Sequence, residues 1–255
     1  MFTIADTIRR LQSRIRGLEG MRPTAARDVV SCGCLALDRL LPGRGVRRGS
    51  LAEWLLAAPG GGAATLALTC ARHACRDGGE LVVLDRQRQV YPPALAAWGV
   101  DLARVILVYP RDHQEEIWAW EQALRCPGVA AVWGWVEQLD DHAFRRWQLA
   151  AEGSGGLGLL IRPASAARQP SWADVRWWVE PRAAPAGRRV HVALQRCRGG
   201  AAGGSVDVEW DEWTGRLREV SLGHETHARD LVAQLARATV PHRPTGTAGA
   251  GGRAL

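Results

Sequence analysis

The chain has 255 residues, 47% of them apolar and 23% charged, with a formal net charge of +7. These are the proportions of an ordinary globular protein with length enough for a full core. No apolar run approaches the ~20 residues of a helical membrane span and no signal-type apolar segment opens the chain, so the sequence reads as cytoplasmic.

All 33 basic residues are arginine. A GC-rich genome accounts for such a bias, but its chemical consequence stands whatever the cause. No lysine is present to hold a phosphate, form a Schiff base or act as a general base. A moderately basic, arginine-only surface suits nucleic acid or an acidic protein partner. The six cysteines lack the paired C-x₂-C spacing of zinc sites and read as reduced thiols filling core space.

In chain order, residues 3–19 predict an amphipathic helix. Ile4, Ile8, Leu11, Ile15 and Leu18 form its apolar stripe, with Arg9, Arg10, Arg14 and Arg16 between them. Gly20-Met21-Arg22-Pro23 separates it from the rest of the chain. Docking on its own domain and docking on a partner or second copy both remain open for this helix.

Residues 51–72 read as strand, glycine turn and helix. Leu51 to Leu56 is a short apolar run, Pro59-Gly60-Gly61-Gly62 a flexible turn, and Ala63 onward a run of helix formers. This is the layout of a phosphate-binding loop, in which backbone N–H groups and a helix N-terminus hold phosphates. A lysine and a Ser/Thr hydroxyl normally complete it. Here the G-K-[ST] positions fall on Gly62-Ala63-Ala64.

Further apolar runs at 80–84, 104–109, 129–136 and 157–161 alternate with helical segments at 63–76, 92–98, 113–125 and 141–152. Continuous apolar strands separated by helices indicate a parallel sheet covered on both faces. Asp101, Asp112 and either Asp140 or Asp141 are placed to cap helices. Beyond Pro163, segments 172–180, 188–196, 205–212 and 216–220 read as strands forming an antiparallel extension. Residues 227–239 predict a short helix carrying Leu231 and Leu235, and 241–255 are expected to be disordered. The organisation is thus an N-terminal helix (1–22), an α/β core (28–222), a C-terminal helix (223–240) and a tail (241–255).

Several motifs between Val30 and Val220 together resemble the RecA-like ATPase core. Ser31-Cys32-Gly33-Cys34-Leu35-Ala36-Leu37-Asp38 is similar to that family's entry motif. Gly45-Val46-Arg47-Arg48-Gly49-Ser50 and Leu51-Ala52-Glu53-Trp54 match its approach to the phosphate loop. Closer still is the resemblance to the ImuA-type accessory proteins of bacterial translesion synthesis. It is carried by Tyr91-Pro92-Pro93-Ala94-Leu95, by residues 118–125 (WAWEQALR) and by residues 145–151 (RRWQLAA).

The resemblance implies a RecA-like core whose ATPase chemistry has lapsed. Aligning the loop leaves a one-residue ambiguity, and either way the lysine position is alanine; Thr65 supplies a hydroxyl only if the loop shortens by one. The family's catalytic Glu corresponds to Gln87, whose amide is a poor general base. Its Mg²⁺-associated Asp falls in Trp133-Gly134-Trp135, which has no carboxylate. Phosphoryl transfer depends on positioning and charge neutralisation, so little hydrolysis is expected. No cofactor is expected, with residual ATP binding at Pro59, Gly60, Gly61, Gly62, Thr65 and Gln87 left open. The implied partners are an ImuB-type Y-family polymerase subunit and an error-prone C-family polymerase, with RecA and DNA as further candidates and no membrane. Ile4, Ile8, Leu11, Ile15, Leu18, Leu231 and Leu235 are the expected partner-facing residues. Arg145, Arg146, Arg162, Arg168, Arg196 and Arg198 are the candidate DNA contacts. Two other readings remain, capping of a recombinase filament and a weak DNA-stimulated ATPase.

His224 and His227 are spaced like a metal pair, but no third ligand accompanies them and no metal is expected. Of the twelve tryptophans, Trp118 and Trp120 should point to different faces of a helix. Trp133 and Trp135 should share one face of a strand. Most are expected in the core, and an exposed Trp beside Arg would suit a protein interface or a stacking platform.

Overall fold

A computed structural model describes residues 28–184, 187–211 and 216–220. The segments expected to form the two terminal helices and the tail, with Ile4, Ile8, Leu11, Ile15, Leu18, Leu231, Leu235, His224 and His227, lie outside the described residues. The described strands are β1 (Val29–Val30), β2 (Val46–Arg47), β3 (Leu51–Leu56), β4 (Glu80–Leu84), β5 (Val105–Val108), β6 (Val129–Trp135), β7 (Leu157–Pro163), β8 (Val175–Arg182), β9 (Arg188–Cys197), β10 (Ser205–Trp210) and β11 (Leu217–Glu219). The helices are α1 (Leu35–Arg39), α2 (Ala63–Ala74), α3 (Pro92–Ala97), α4 (His113–Arg125) and α5 (Asp141–Ser154).

Nine strands form one sheet in the order β11-β10-β9-β8-β3-β7-β6-β4-β5. Strands β8, β3, β7, β6, β4 and β5 run parallel, and the antiparallel part starts only at β9. This corrects the sequence expectation at one point, because β8 extends the parallel sheet beside β3 and Trp172 precedes the strand. The separate ribbon β1–β2 closes the entry to the core.

Period-two alternation divides the apolar strand residues between two cores. Ala52, Trp54, Leu81, Val83, Trp133, Leu159 and Ile161 pack with α1 and α2 on one face. Leu51, Val82, Leu84, Val132 and Leu160 pack with α4 and α5 on the other. Two indole stacks fill these layers. Trp54 and Trp177, paired in register on β3 and β8, stack at 5.7 Å, and Trp120 stacks on Trp147 at 4.9 Å. Trp118 points outward at 60% exposure while Trp120 is buried, as helical spacing requires.

Local chemistry sets the helix starts. The carboxylates of Asp101, Asp112 and Asp140 accept from Ala103, Glu115 and Ala143 N–H, each satisfying an orphan donor of the first turn. The entry motif closes on itself in the same way. Asp38 accepts from the Ser31 hydroxyl at 2.6 Å and from Cys32 N–H at 2.7 Å. Gly33 sits at φ +87° where a Cβ would lie 2.2 Å from Thr69, so the close approach to α2 admits only glycine. Cys32, Cys34 and Cys70 are buried among these contacts; Cys126 is the exception to core filling and lies exposed.

Candidate functional site

The glycine loop leaves the carboxyl end of β3, where Ala57 N–H bonds Val179 O of β8 at 2.9 Å. Gly61 N–H closes a turn on Ala58 O, and Gly62, at φ 86°, is the left-handed residue that launches α2. Helical geometry begins at Ala63, so Ala63 and Ala64 occupy the lysine and first hydroxyl positions. Thr65 lies one residue further, half-buried, its carbonyl accepting from Thr69 Oγ1 at 2.9 Å.

The cover over this loop is protein. Pro59 and Gly60 are exposed, but Gly61 and Gly62 are buried. A Cβ on Gly62 would lie 2.5 Å from the Trp210 ring and 3.2 Å from Val190, and one on Gly61 would lie 3.3 Å from Pro181. Strands β8, β9 and β10 therefore close over the turn. Arg188 donates to Gly60 O at 3.0 Å and its guanidinium stands 5.7 Å from the Trp210 ring centre, while the Trp98 ring meets Trp210 edge-on at 6.3 Å. From below, Trp133 Nε1 donates to Ala64 O at 3.2 Å, with Trp135 packed against it at 4.7 Å. The position expected to hold a metal-associated carboxylate thus holds an indole bonded to the loop helix.

The other stations are engaged in local hydrogen bonds. Asp85 accepts from Gln89 and Val90 N–H at 2.9 and 2.7 Å, which fixes the turn after β4. Gln87 is exposed and donates to Glu137 at 2.9 Å. Beside it Glu116, which no sequence motif marks, is buried and bonded to Arg86 Nε at 3.2 Å. The cleft among Asp85, Gln87, Glu116, Trp135 and Glu137 holds about 10 Å³, room for about one water. Among the described residues no His, Cys, Asp and Glu are grouped to hold a metal.

A second constellation escapes sequence reasoning because it depends on strand register. Glu53, in the middle of β3, is fully buried between two arginines. Arg162 Nη1 meets its Oε1 at 2.8 Å, while Arg176 Nε and the Ser171 hydroxyl meet its Oε2, each at 2.6 Å. Arg162 also reaches Gln169 at 2.7 Å, and Arg176 bonds the carbonyls of Ala167 and Gln169. The visible signal is one carboxylate inside an apolar strand; its partners lie over a hundred residues away. This corrects the reading of Arg162 as a DNA contact. It is 0% exposed, and it staples the 163–174 segment to the sheet.

The remaining candidate arginines lie on the surface in varied states. Arg168 is exposed. Arg146 pairs with Glu121 at 2.9 Å, and Arg198 with Glu152 and Asp174 at 3.5 and 3.6 Å. Arg145 bonds Gln148 and lies 4.7 Å over the ring of Trp172, while Arg196 donates to Ser171 O. The structure thus brings Arg145 and Arg196 to adjacent residues, around an exposed indole that donates to Asp141 at 2.6 Å.

No family model matches the sequence. Two curated relatives, the ImuA proteins of Caulobacter vibrioides strains NA1000 and CB15, are 36% identical over 180 residues, 63% of this chain and 69% of theirs. The RecA protein of Clostridioides difficile is 30% identical over 105 residues, 41% of this chain and 30% of its own. The crystal structure of the RadB recombinase superposes with a TM-score of 0.59 at 17% identity, covering 75% of this chain and all of that one, which establishes a RecA-like fold. The chain belongs to the ImuA family.

Proposed function

We propose that this chain is a non-hydrolysing RecA-like accessory factor of the DNA-damage response. It would act in error-prone translesion synthesis by docking on an ImuB-type Y-family polymerase subunit that serves an error-prone C-family polymerase. Kinship with ImuA and the RecA-like fold support the accessory role. The observation that carries the non-catalytic reading is the covered loop, where Trp210 and Trp133 pack against glycines and alanines that would otherwise face phosphate. Backbone donors at a helix N-terminus attract phosphate only when it can reach them, and transfer further needs charge on both sides of the phosphoryl group. The partner-facing residues are assigned to the terminal helices, and the patch of Arg145, Trp172 and Arg196 is the best-formed candidate for nucleic acid.

The test is co-purification of the full chain with an ImuB-type subunit, alongside a chain lacking residues 1–19 and 227–255. A complex with the full chain that the truncation abolishes is expected; no complex with the full chain would remove the reading. Phosphate release should match buffer with and without single-stranded DNA, and DNA-stimulated release would restore the ATPase reading. The match to RecA favours a second reading, capping of a recombinase filament. It predicts inhibited strand exchange, and unaltered exchange at stoichiometric excess disposes of it.

A further inference from the structure

The far end of α2, about 18 Å from the glycine loop at 1.5 Å per residue, carries a feature that the adaptor reading leaves unused. A cavity of about 330 Å³ opens there among Arg72, Arg76, Arg104, Leu81, Val100 and Asp101. That volume is at the lower end of the ~300–1,000 Å³ range of small-molecule sites. Three arginines line it, together with Asp101 and the buried side chains of Leu81 and Val100.

These arginines are not all accounted for by the fold. The carbonyls at the end of α2 and the turn after it are met by other donors. Arg48 donates to Ala74 O at 3.0 Å, and Arg104 to Cys75 O at 3.3 Å. Arg72 uses one terminal nitrogen on Trp98 O at 3.0 Å, but its Nε is buried without a partner among the described residues. Arg76 makes no hydrogen bond or ion pair among the described residues. Two cations four residues apart on a helix repel, and burial already disfavours the charge on Arg72.

The acids nearby do not cancel this charge. Glu80 lies 3.9 Å from Arg104, Asp77 is held by Arg48 at 3.2 Å, and Asp101 accepts from Ala103 N–H. An exposed guanidinium on Arg76, unpaired among the described residues and beside Arg72 and Arg104 at an open cavity, leaves a place for an anion.

We propose that this cavity binds a phosphate monoester of mononucleotide size, with the phosphate between Arg72 and Arg76 and the organic part in the remaining cavity volume. Forked guanidinium donors suit a phosphate better than a single carboxylate oxygen, and the cavity of about 330 Å³ leaves space for the remainder of the ligand. The occupant is a small molecule, because the site is concave. It stands apart from the glycine loop and does not depend on the adaptor reading.

Titration calorimetry on the full chain tests this with deoxyadenosine monophosphate, inorganic phosphate and deoxyadenosine. The monophosphate should bind most tightly, phosphate more weakly, and deoxyadenosine least. Arg76→Gln, at an exposed residue without partners among the described residues, should keep the wild-type circular dichroism spectrum and weaken monophosphate binding about tenfold. Arg188→Gln, at the glycine loop, should leave binding unchanged. No heat from phosphate or monophosphate at about 5 mM, equal binding by Arg76→Gln, or deoxyadenosine binding as tightly as its monophosphate would each overturn the proposal.

Discussion

Strand β3 serves two regions that treat charge in opposite ways. At its middle, Glu53 gathers Arg162 and Arg176 into a buried network that ties β3, β7, β8 and the 163–174 segment together. At its carboxyl end, a few residues on, the loop that a RecA-like fold uses for phosphate carries no charged side chain of its own and lies under indole rings. Charge is buried and paired at the middle of β3, while Gly61 and Gly62 beyond its end are packed against Pro181, Val190 and Trp210. The family relationship is kept in the backbone path, while the loop at its end carries alanine where the ATPase pattern has lysine.

The comparison breaks most readily at Glu53. Removing one member of a buried ion network leaves the others uncompensated, so Glu53→Ala should cost about 3–5 kcal/mol in urea unfolding. Glu53→Gln should lose less, and a cost near that of a surface substitution would show that the network does not hold the sheet. Next in size is the covering indole. Trp210 is 3% exposed, and Trp210→Ala should cost about 3 kcal/mol through the void it leaves. A near-neutral Trp210→Ala would mean that the loop is not sealed by packing.

The smallest effect concerns His73, half-buried near Arg72 and Arg76. Burial first, then these two arginines, lower its pKa from 6.5 to about 4. The folded state therefore refuses a proton that the unfolded chain accepts. The stability that His73 contributes is present above pH 6.5 and is lost as pH falls toward 4. After allowing for its partial exposure the loss should be about 1–2 kcal/mol. In His73→Gln the stability profile between those pH values should flatten, and an unchanged slope would assign the acid sensitivity elsewhere.

Much of this architecture is legible in the residues. The apolar runs mark β3 to β7 within a residue or two, and aspartates mark the starts of α4 and α5, because those signals are local. The departures from the ATPase pattern at Ala63, Gln87 and Trp133 can be read from side chains alone. The cover over the loop cannot, since Trp210 lies about 150 residues from Gly62 and reaches it only through the order β10-β9-β8-β3. Arg162 misleads for the same reason. Its place at the end of an apolar strand suggests a loop, and only the pairing of β3 with β7 shows the carboxylate that draws it inside.

The antiparallel ribbon of β9, β10 and β11 pairs with the rest of the sheet only through β8. Gly62 therefore meets solvent only when that ribbon lifts, which makes access to this glycine a question of time rather than of shape. Amide exchange at Gly62 should keep pace with exchange along β9 and β10, and would register any partner that grips the ribbon as a slowing of both.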